Sequence, residues 1–380
     1  MNLAELIGLR PVPGAGLLVS VTGRCPLHCA HCSTAATMSA PEPDARHLLR
    51  FAGSLTARSR PDVLMLTGGE PLLRPGLVLD LTAAARRAGT RVAVLTGGFF
   101  ARGGSLPPAV RRVIEAVDHF SVSIDAFHER EVSRADVFAV LRHVLGEGTA
   151  ASLHVTGSGP ADPYLAQLTA AVRAEFGDTV PMLVTTVKPV GRAAAWAAAG
   201  RWNPGPGRPL PCPMAAWPVV APDGTVVACC NQDVVDRRPV PAHLDLGHVA
   251  RDSWPAIRQR SLGSPVLRSV RTVGPVRLLA RNSSRNGAAQ PPAYCDACRQ
   301  LSEHPAVIAA ASRAAAGPAG AALDQAVAHL QAQAGPAALI RRYGCASYAH
   351  LVTPSPRHDH PAPPEPAQPS PAQPSREDAA

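Results

Sequence analysis

The stretch SVTGRCPLHCAHCSTAA, residues 20–36, places three cysteines, Cys25, Cys29 and Cys32, in one short loop. It follows directly on the first apolar, β-rich run of the chain, GLLVSV at 16–21. The thiols therefore leave the end of a strand. A structural zinc takes four protein ligands, and a 4Fe–4S cluster normally takes four cysteines, one per iron. Three thiolates can hold such a cluster and leave one iron with an open position, where a small molecule binds directly. A zinc knuckle completed by His28 or His31 is the other arrangement that this spacing permits.

Outward from that loop, β-rich runs alternate with helix-like stretches. The strands are expected at 16–21, 62–66, 91–95, 119–124, 152–156 and 181–187, and the helices near 43–58, 77–88, 107–117, 135–146 and 162–176. Strands separated by helices of this length predict right-handed βαβ units around a parallel sheet, an α/β fold. Spacing alone leaves open whether six such units form a partial barrel or a doubly wound sheet. After residue 190 the alternation stops. PGPGRPLPCP (204–213) reads as a link and WPVVAPDGTVVACC (217–230) as a hairpin around Pro222–Gly224. An Ala-rich helical region follows at 304–341, then a Pro-rich tail from 352 to 380 expected to be disordered.

Composition excludes several classes. The 380 residues are 46% hydrophobic and 17% charged, as in a folded globular chain. No apolar run approaches the roughly 18–20 residues that span a bilayer, and the N-terminus does not read as a signal peptide. The expectation is a cytoplasmic protein with no membrane partner, whose cysteines bind metal or react. The net charge of +9 comes from scattered basic residues, nearly all arginine, with 4% aromatics. That pattern predicts no nucleic-acid partner.

The triad with x3 and x2 spacing after the first strand resembles the signature of the radical S-adenosylmethionine (radical SAM) family. MLTGGEP (65–71) resembles the family's GGEP segment after the second strand, and SVSIDA (121–126) its polar pair at the end of the fourth. LTGGF (95–99) is similar to a Thr-Asn-Gly turn with Gly97 in the Asn place, and KPVGRAA (188–194) to a stretch after the sixth strand. The resemblance covers roughly residues 14–200. It implies a partial (β/α)6 barrel and a 4Fe–4S cluster on Cys25, Cys29 and Cys32, with SAM on its open iron. Reductive cleavage of SAM then gives a 5′-deoxyadenosyl radical that abstracts hydrogen from a substrate C–H bond. It further implies SAM contacts at His31, Gly68, Gly69, Glu70, Pro71, Ser123, Asp125 and Arg192, with Glu70 accepting from the SAM ammonium. One departure is His31, where the family usually has an aromatic residue beside adenine.

Six cysteines remain. Cys212 and Cys229, then Cys295 and Cys298, supply four thiolates in a C-x16-C…C-x2-C arrangement. The expected hairpin returns Cys229 close to Cys212. Gly224 before Cys229 matches the G-x4-C element of SPASM/twitch extensions, a resemblance that implies an auxiliary 4Fe–4S cluster; a structural zinc fits the same four thiolates. Cys230 is an alternative to Cys229, and Cys345 reads as a buried apolar thiol.

The divisions expected are an N-terminal extension at 1–13, a radical SAM core at 14–200 and a small hairpin-containing cluster domain at 201–303. A helical segment at 304–351 and the tail at 352–380 follow. A closed second cluster favours a net oxidation in natural-product biosynthesis, served by a one-electron reductant such as flavodoxin or ferredoxin. The cysteine spacing resembles an amino-cyclitol dehydrogenase, hence a small polar substrate. The start of the first strand near residue 16 leaves no room for a leader-binding domain before it, which favours that choice over peptide maturation. An iron–sulfur electron carrier or zinc-binding protein is the non-enzymatic alternative. Asp125, His128, Glu129, His154 and Lys188 are the candidate proton donors.

Overall fold

The computed structural model describes residues 1–102, 106–197, 210–282 and 293–353. Six parallel strands run in chain order: β1 Gly16–Ser20, β2 Val63–Thr67, β3 Arg91–Thr96, β4 His119–Ser123, β5 Ala150–Gly157 and β6 Met182–Thr186. Between β1 and β6 each crossover carries a helix: Ala45–Gly53, Pro75–Arg87, Pro108–Ala116, Arg134–Gly146 and Pro163–Phe176. Their starts are written locally. Asp44, Ser133 and Asp162 cap three of them by accepting from backbone N–H groups of the first turn. Pro75, Pro108 and Pro163 stand in first turns, where a missing N–H costs nothing.

Strand alternation sorts the side chains of β4 between two layers. Phe120 and Val122 join the main core with the helices. His119 and Ser121 point the other way and meet Ser152 of β5 through hydrogen bonds of 2.8 Å each. On that inner face Val63, Met65 and Ala93 pack against Leu3, Leu6 and Ile7 of the N-terminal helix Leu3–Gly8. Leu339 and Ile340 of the helix Pro336–Tyr343 complete the same cluster, so two helices far apart in the chain cover this part of the sheet's inner face.

The hairpin forms, but it does not stand apart as the sequence suggests. Its strands β7 Val219–Val220 and β8 Thr225–Val227, with β9 Asp245–His248, extend the same sheet in the order β6-β5-β4-β3-β2-β1-β7-β8-β9. β7 lies parallel to β1, with Leu18 opposite Val219. The physical reason is the free edge of β1, whose backbone groups need partners. Leu18 N–H donates to the Pro218 carbonyl at 3.0 Å. Gly16 lets the buried Trp217 approach, since a Cβ there would lie 2.1 Å from the indole.

Beyond the sheet, helices Pro265–Thr272 and Gly317–Gln333 are tied by the buried pair Arg271–Asp324, whose closest contact is 2.6 Å. Among the described residues no single helix is long and apolar enough to cross a membrane; Pro305–Ala314 and Gly317–Gln333 reach that length only together, across an 87° bend. The expected link falls outside the described residues at 204–209, as does the tail from 354.

Candidate active site

The loop after β1 carries the triad, and the GGEP turn after β2 lies along its start. Gly69 N–H donates to the Thr22 carbonyl and Glu70 N–H to that of Arg24, both at 2.7 Å. This approach requires glycine. Gly68 has φ +142°, and a Cβ there would lie 2.3 Å from the Thr22 carbonyl oxygen. Cys25 and Cys29 are buried and Cys32 half-buried, and all three line one cavity of about 460 Å³. Burial pushes the Cys25 thiol up to about 12; the Leu27 N–H opposes this, while Glu70, Cys32 and Cys29 add to it. A thiolate at Cys25 is thus disfavoured unless positive charge stands beside it, which a bound iron–sulfur cluster would bring.

A second segment fastens this loop from the far side of the sheet. Arg192 donates from Nε to the Cys29 carbonyl at 2.9 Å and from Nη1 to that of Ala36 at 2.6 Å. Its backbone N–H reaches the Cys32 carbonyl at 2.9 Å, and Trp196 Nε1 donates to the Ala30 carbonyl at 3.0 Å. Gly191, at φ +57°, lies so close that a Cβ would sit 2.3 Å from the Ser33 carbonyl oxygen. Arg192 borders the cavity, but its guanidinium is occupied by the loop's own carbonyls.

Gly68, Gly69, His31 and Ser123 also line the cavity, whereas Glu70, Pro71 and Asp125 do not. Glu70 is fully buried. Its Oε1 accepts from Thr96 Oγ1 at 2.7 Å and Leu72 N–H at 3.0 Å, and its Oε2 from Gly97 N–H at 2.8 Å. The carboxylate thus ties the turn after β2 to the turn after β3. Burial pushes its pKa up against these hydrogen bonds. Pro71 opens the short 3₁₀ turn Pro71–Leu73.

Asp125 is likewise buried and bonded within the protein. Oδ1 accepts from the N–H groups of Phe127 and His128, and Oδ2 meets His128 Nδ1 at 2.9 Å and His31 Nε2 at 3.2 Å. Burial alone would raise the Asp125 carboxyl, but the bonds from His128 and His31 outweigh it and hold it low. Burial depresses His128, yet its bonds to Asp125 and Cys29 prevail and lift it to about 10. The His31 ring, held in this bracket, stacks on Phe127 at 4.7 Å. Of the other candidate proton donors, Glu129 is held by Arg134 and the Tyr164 hydroxyl. His154 sits opposite Ser123 in the β4–β5 register.

The second cysteine set also converges. Burial raises Cys212 to about 11, with Cys295 and Cys230 near enough to add to the shift. Burial raises Cys229 too, reinforced by Cys230, Cys298 and Cys212. Cys212 is buried, and Cys229, Cys295 and Cys298 are half-buried. Cys230 faces the central cavity and accepts from Arg10 Nη2 at 3.1 Å. His243 Nε2 stands 3.8 Å from the Cys298 sulfur. Cys345 belongs to neither set; it is buried, and its N–H pairs with the Val184 carbonyl of β6. Arg10 and His243 carry no motif that sequence reasoning would find, since each acts through a contact distant along the chain.

Residues 19–158, which hold the triad, the GGEP turn and SVSIDA, match the sequence model of the Radical SAM superfamily. That stretch is similar in sequence to radical SAM domains. It is 34% identical over 121 residues to a PqqA peptide cyclase of Streptomyces rochei, covering 29% of each protein. It is 35% identical over 112 residues to an AdoMet-dependent heme synthase of Methanosarcina barkeri (strain Fusaro / DSM 804), covering 28% of this chain and 29% of that protein. The matches thus span less than a third of those curated relatives. A solved structure, native anSMEcpe with bound AdoMet and Cp18Cys peptide, is 13% identical with a TM-score of 0.48, covering 79% of this chain and 100% of that one.

Proposed function

We propose that this protein cleaves SAM reductively and uses the radical to oxidise a peptide substrate by hydrogen abstraction. One observation carries the reading: the three thiols of the first loop and Cys230 beside the second cysteine set front the same cavity. Cys25, Cys29 and Cys32 would hold the first cluster, and Cys212, Cys229, Cys295 and Cys298 the second. When bound, these groups and SAM supply an electron, a primary radical and an acceptor for the substrate's second electron. The chain's own work is placement. Gly68 and Gly69 let backbone come close to the ligand, Ser123 offers a hydroxyl, and the His31–Asp125–His128 bracket fixes two imidazoles at the cavity wall.

A peptide substrate is favoured over the amino-cyclitol or sugar-like one suggested by cysteine spacing because a curated relative is a peptide cyclase. Reductant supply by a flavodoxin or ferredoxin belongs to the same proposal. The test is anaerobic reconstitution of the full chain, reduction and assay for 5′-deoxyadenosine. About eight irons per chain are expected if both clusters are of the 4Fe type. Co-expression with a short precursor peptide should yield a product lighter by two hydrogens. Iron-loaded, reduced protein that leaves SAM intact would overturn the reading.

A further inference from the structure

Of the 37 basic side chains other than histidine, 36 are arginine and one is lysine, Lys188. On a solvated surface the two residues serve alike, and this chain writes arginine there throughout. They differ where a ligand is bound, because lysine presents a compact point charge with three rotatable donors instead of a rigid planar fork. The single lysine stands in the wall of the cavity that the cysteine triad lines. Its place is set by its near neighbours in the chain: Gly191 and Arg192, only three and four residues further on, are pinned to the triad loop.

The cavity's other charges are already committed. Arg192 is held by backbone carbonyls, and His31 and His128 by Asp125. Among the described residues no aspartate or glutamate lines the cavity, and hydroxyls of Ser20, Thr67, Ser123, Thr156, Thr185 and Thr186 do. Lys188 is exposed and, among the described residues, joins no ion pair. Its charge also acts on the Cys295 thiol, which places it at the seam between the two cysteine sets.

We propose that Lys188 anchors an oxyanion of the substrate, a carboxylate or a phosphate, so that this site selects an anionic substrate. The inference rests on the proposed function in taking the cavity as the substrate site. A cation with no ion-pair partner among the described residues, in a cavity lined among them by no acid and by many hydroxyls, matches an oxyanion in both charge and hydrogen bonding.

Because Lys188 is the only lysine, amine acylation reports on it alone, with the N-terminal amine as internal control. The full reconstituted chain is treated with N-acetoxysuccinimide, and acetylation at Lys188 is followed by peptide mass spectrometry. The arms are SAM alone, and SAM with glutarate, inorganic phosphate or neutral glutaramide. Glutarate or phosphate should slow Lys188 acetylation at least threefold, the stronger of the two telling carboxylate from phosphate. Glutaramide and SAM alone should leave the rate unchanged. Equal rates with both anions and glutaramide overturn the inference, and so does shielding by SAM alone, which would place the lysine at the cofactor. The same samples are assayed for 5′-deoxyadenosine. Cleavage of SAM beside an unshielded Lys188 removes this inference only, whereas intact SAM in iron-loaded, reduced protein removes the proposed function beneath it.

Discussion

Arg192 donates through Nε to the carbonyl oxygen of Cys29 at 2.9 Å, across 163 residues of chain. The loop after β6 is thereby a fastening of the loop after β1, and the cysteine triad is held from both of its flanks.

Replacing Arg192 should therefore disturb metal loading before it disturbs the fold. Hydrogen bonds from a charged group contribute about 1.5–3 kcal/mol each, so Arg192→Ala is expected to lose about 2–3 kcal/mol of stability. In a background with Cys212, Cys229, Cys295 and Cys298 changed to Ser, the remaining iron should fall well below that of the parent. Arg192→Lys should restore little, since an ammonium cannot fork across two carbonyls. Iron analysis beside circular dichroism checks this; unchanged iron in Arg192→Ala would refute the fastening.

Gly68→Ala should be costly out of proportion to one methyl group. The added Cβ meets the Thr22 carbonyl at 2.3 Å in a backbone conformation of φ +142° that L-residues avoid. A loss of about 1–3 kcal/mol is expected, together with weaker SAM binding as the turn moves off residues 22–24. Urea denaturation and calorimetric titration with SAM would read both effects. An unchanged urea midpoint would show that the turn tolerates the methyl.

Stability should decline as pH falls from about 6.5 to 4. His119 is fully buried between the Met1 carbonyl and Ser152 Oγ. Burial lowers its pKa to about 4, against the raising influence of the Met1 bond. The unfolded chain takes up a proton at this residue below about pH 6.5 while the folded chain does not. Stability from His119 is thus present at neutral pH and lost through that window, at most about 3 kcal/mol. His119→Gln should flatten the pH dependence of the urea midpoint between 4 and 6.5. A parallel curve would exclude His119 as its source.

The Arg271–Asp324 pair should show asymmetric mutational costs. Asp324→Ala leaves a buried guanidinium without its counter-charge, and a loss of about 3–5 kcal/mol is expected. The double variant Arg271→Met, Asp324→Leu removes both charges and should recover much of that loss. Chemical denaturation of the four species tests it. Additive losses would mean that the two side chains are not coupled.

The six core strands are legible in the sequence as short, mostly apolar runs, as in VLMLT, buried at four of its five positions, and RVAVL. Their helices announce themselves by local chemistry, through Asp44, Ser133, Asp162 and three first-turn prolines. The triad is legible from spacing alone. Glu70 and Asp125 are found by motif, but where their carboxylates point is decided by Thr96, Gly97, His31 and His128, which no local pattern ties to them. The pairing of β7 with β1 joins segments some two hundred residues apart, and hydrophobic periodicity carries no signal for which edge a strand seeks. Lys188 is visible in the sequence as a count of one, yet only the cavity shows what surrounds it.

That shared edge between β1 and β7 has a mechanical consequence. Backbone hydrogen bonds join the strand that leads into the triad loop to the hairpin that ends at Cys229 and Cys230, so one sheet carries both. Under the proposed function, electron entry and electron exit would keep a built-in interval, and only the guest between them would come and go.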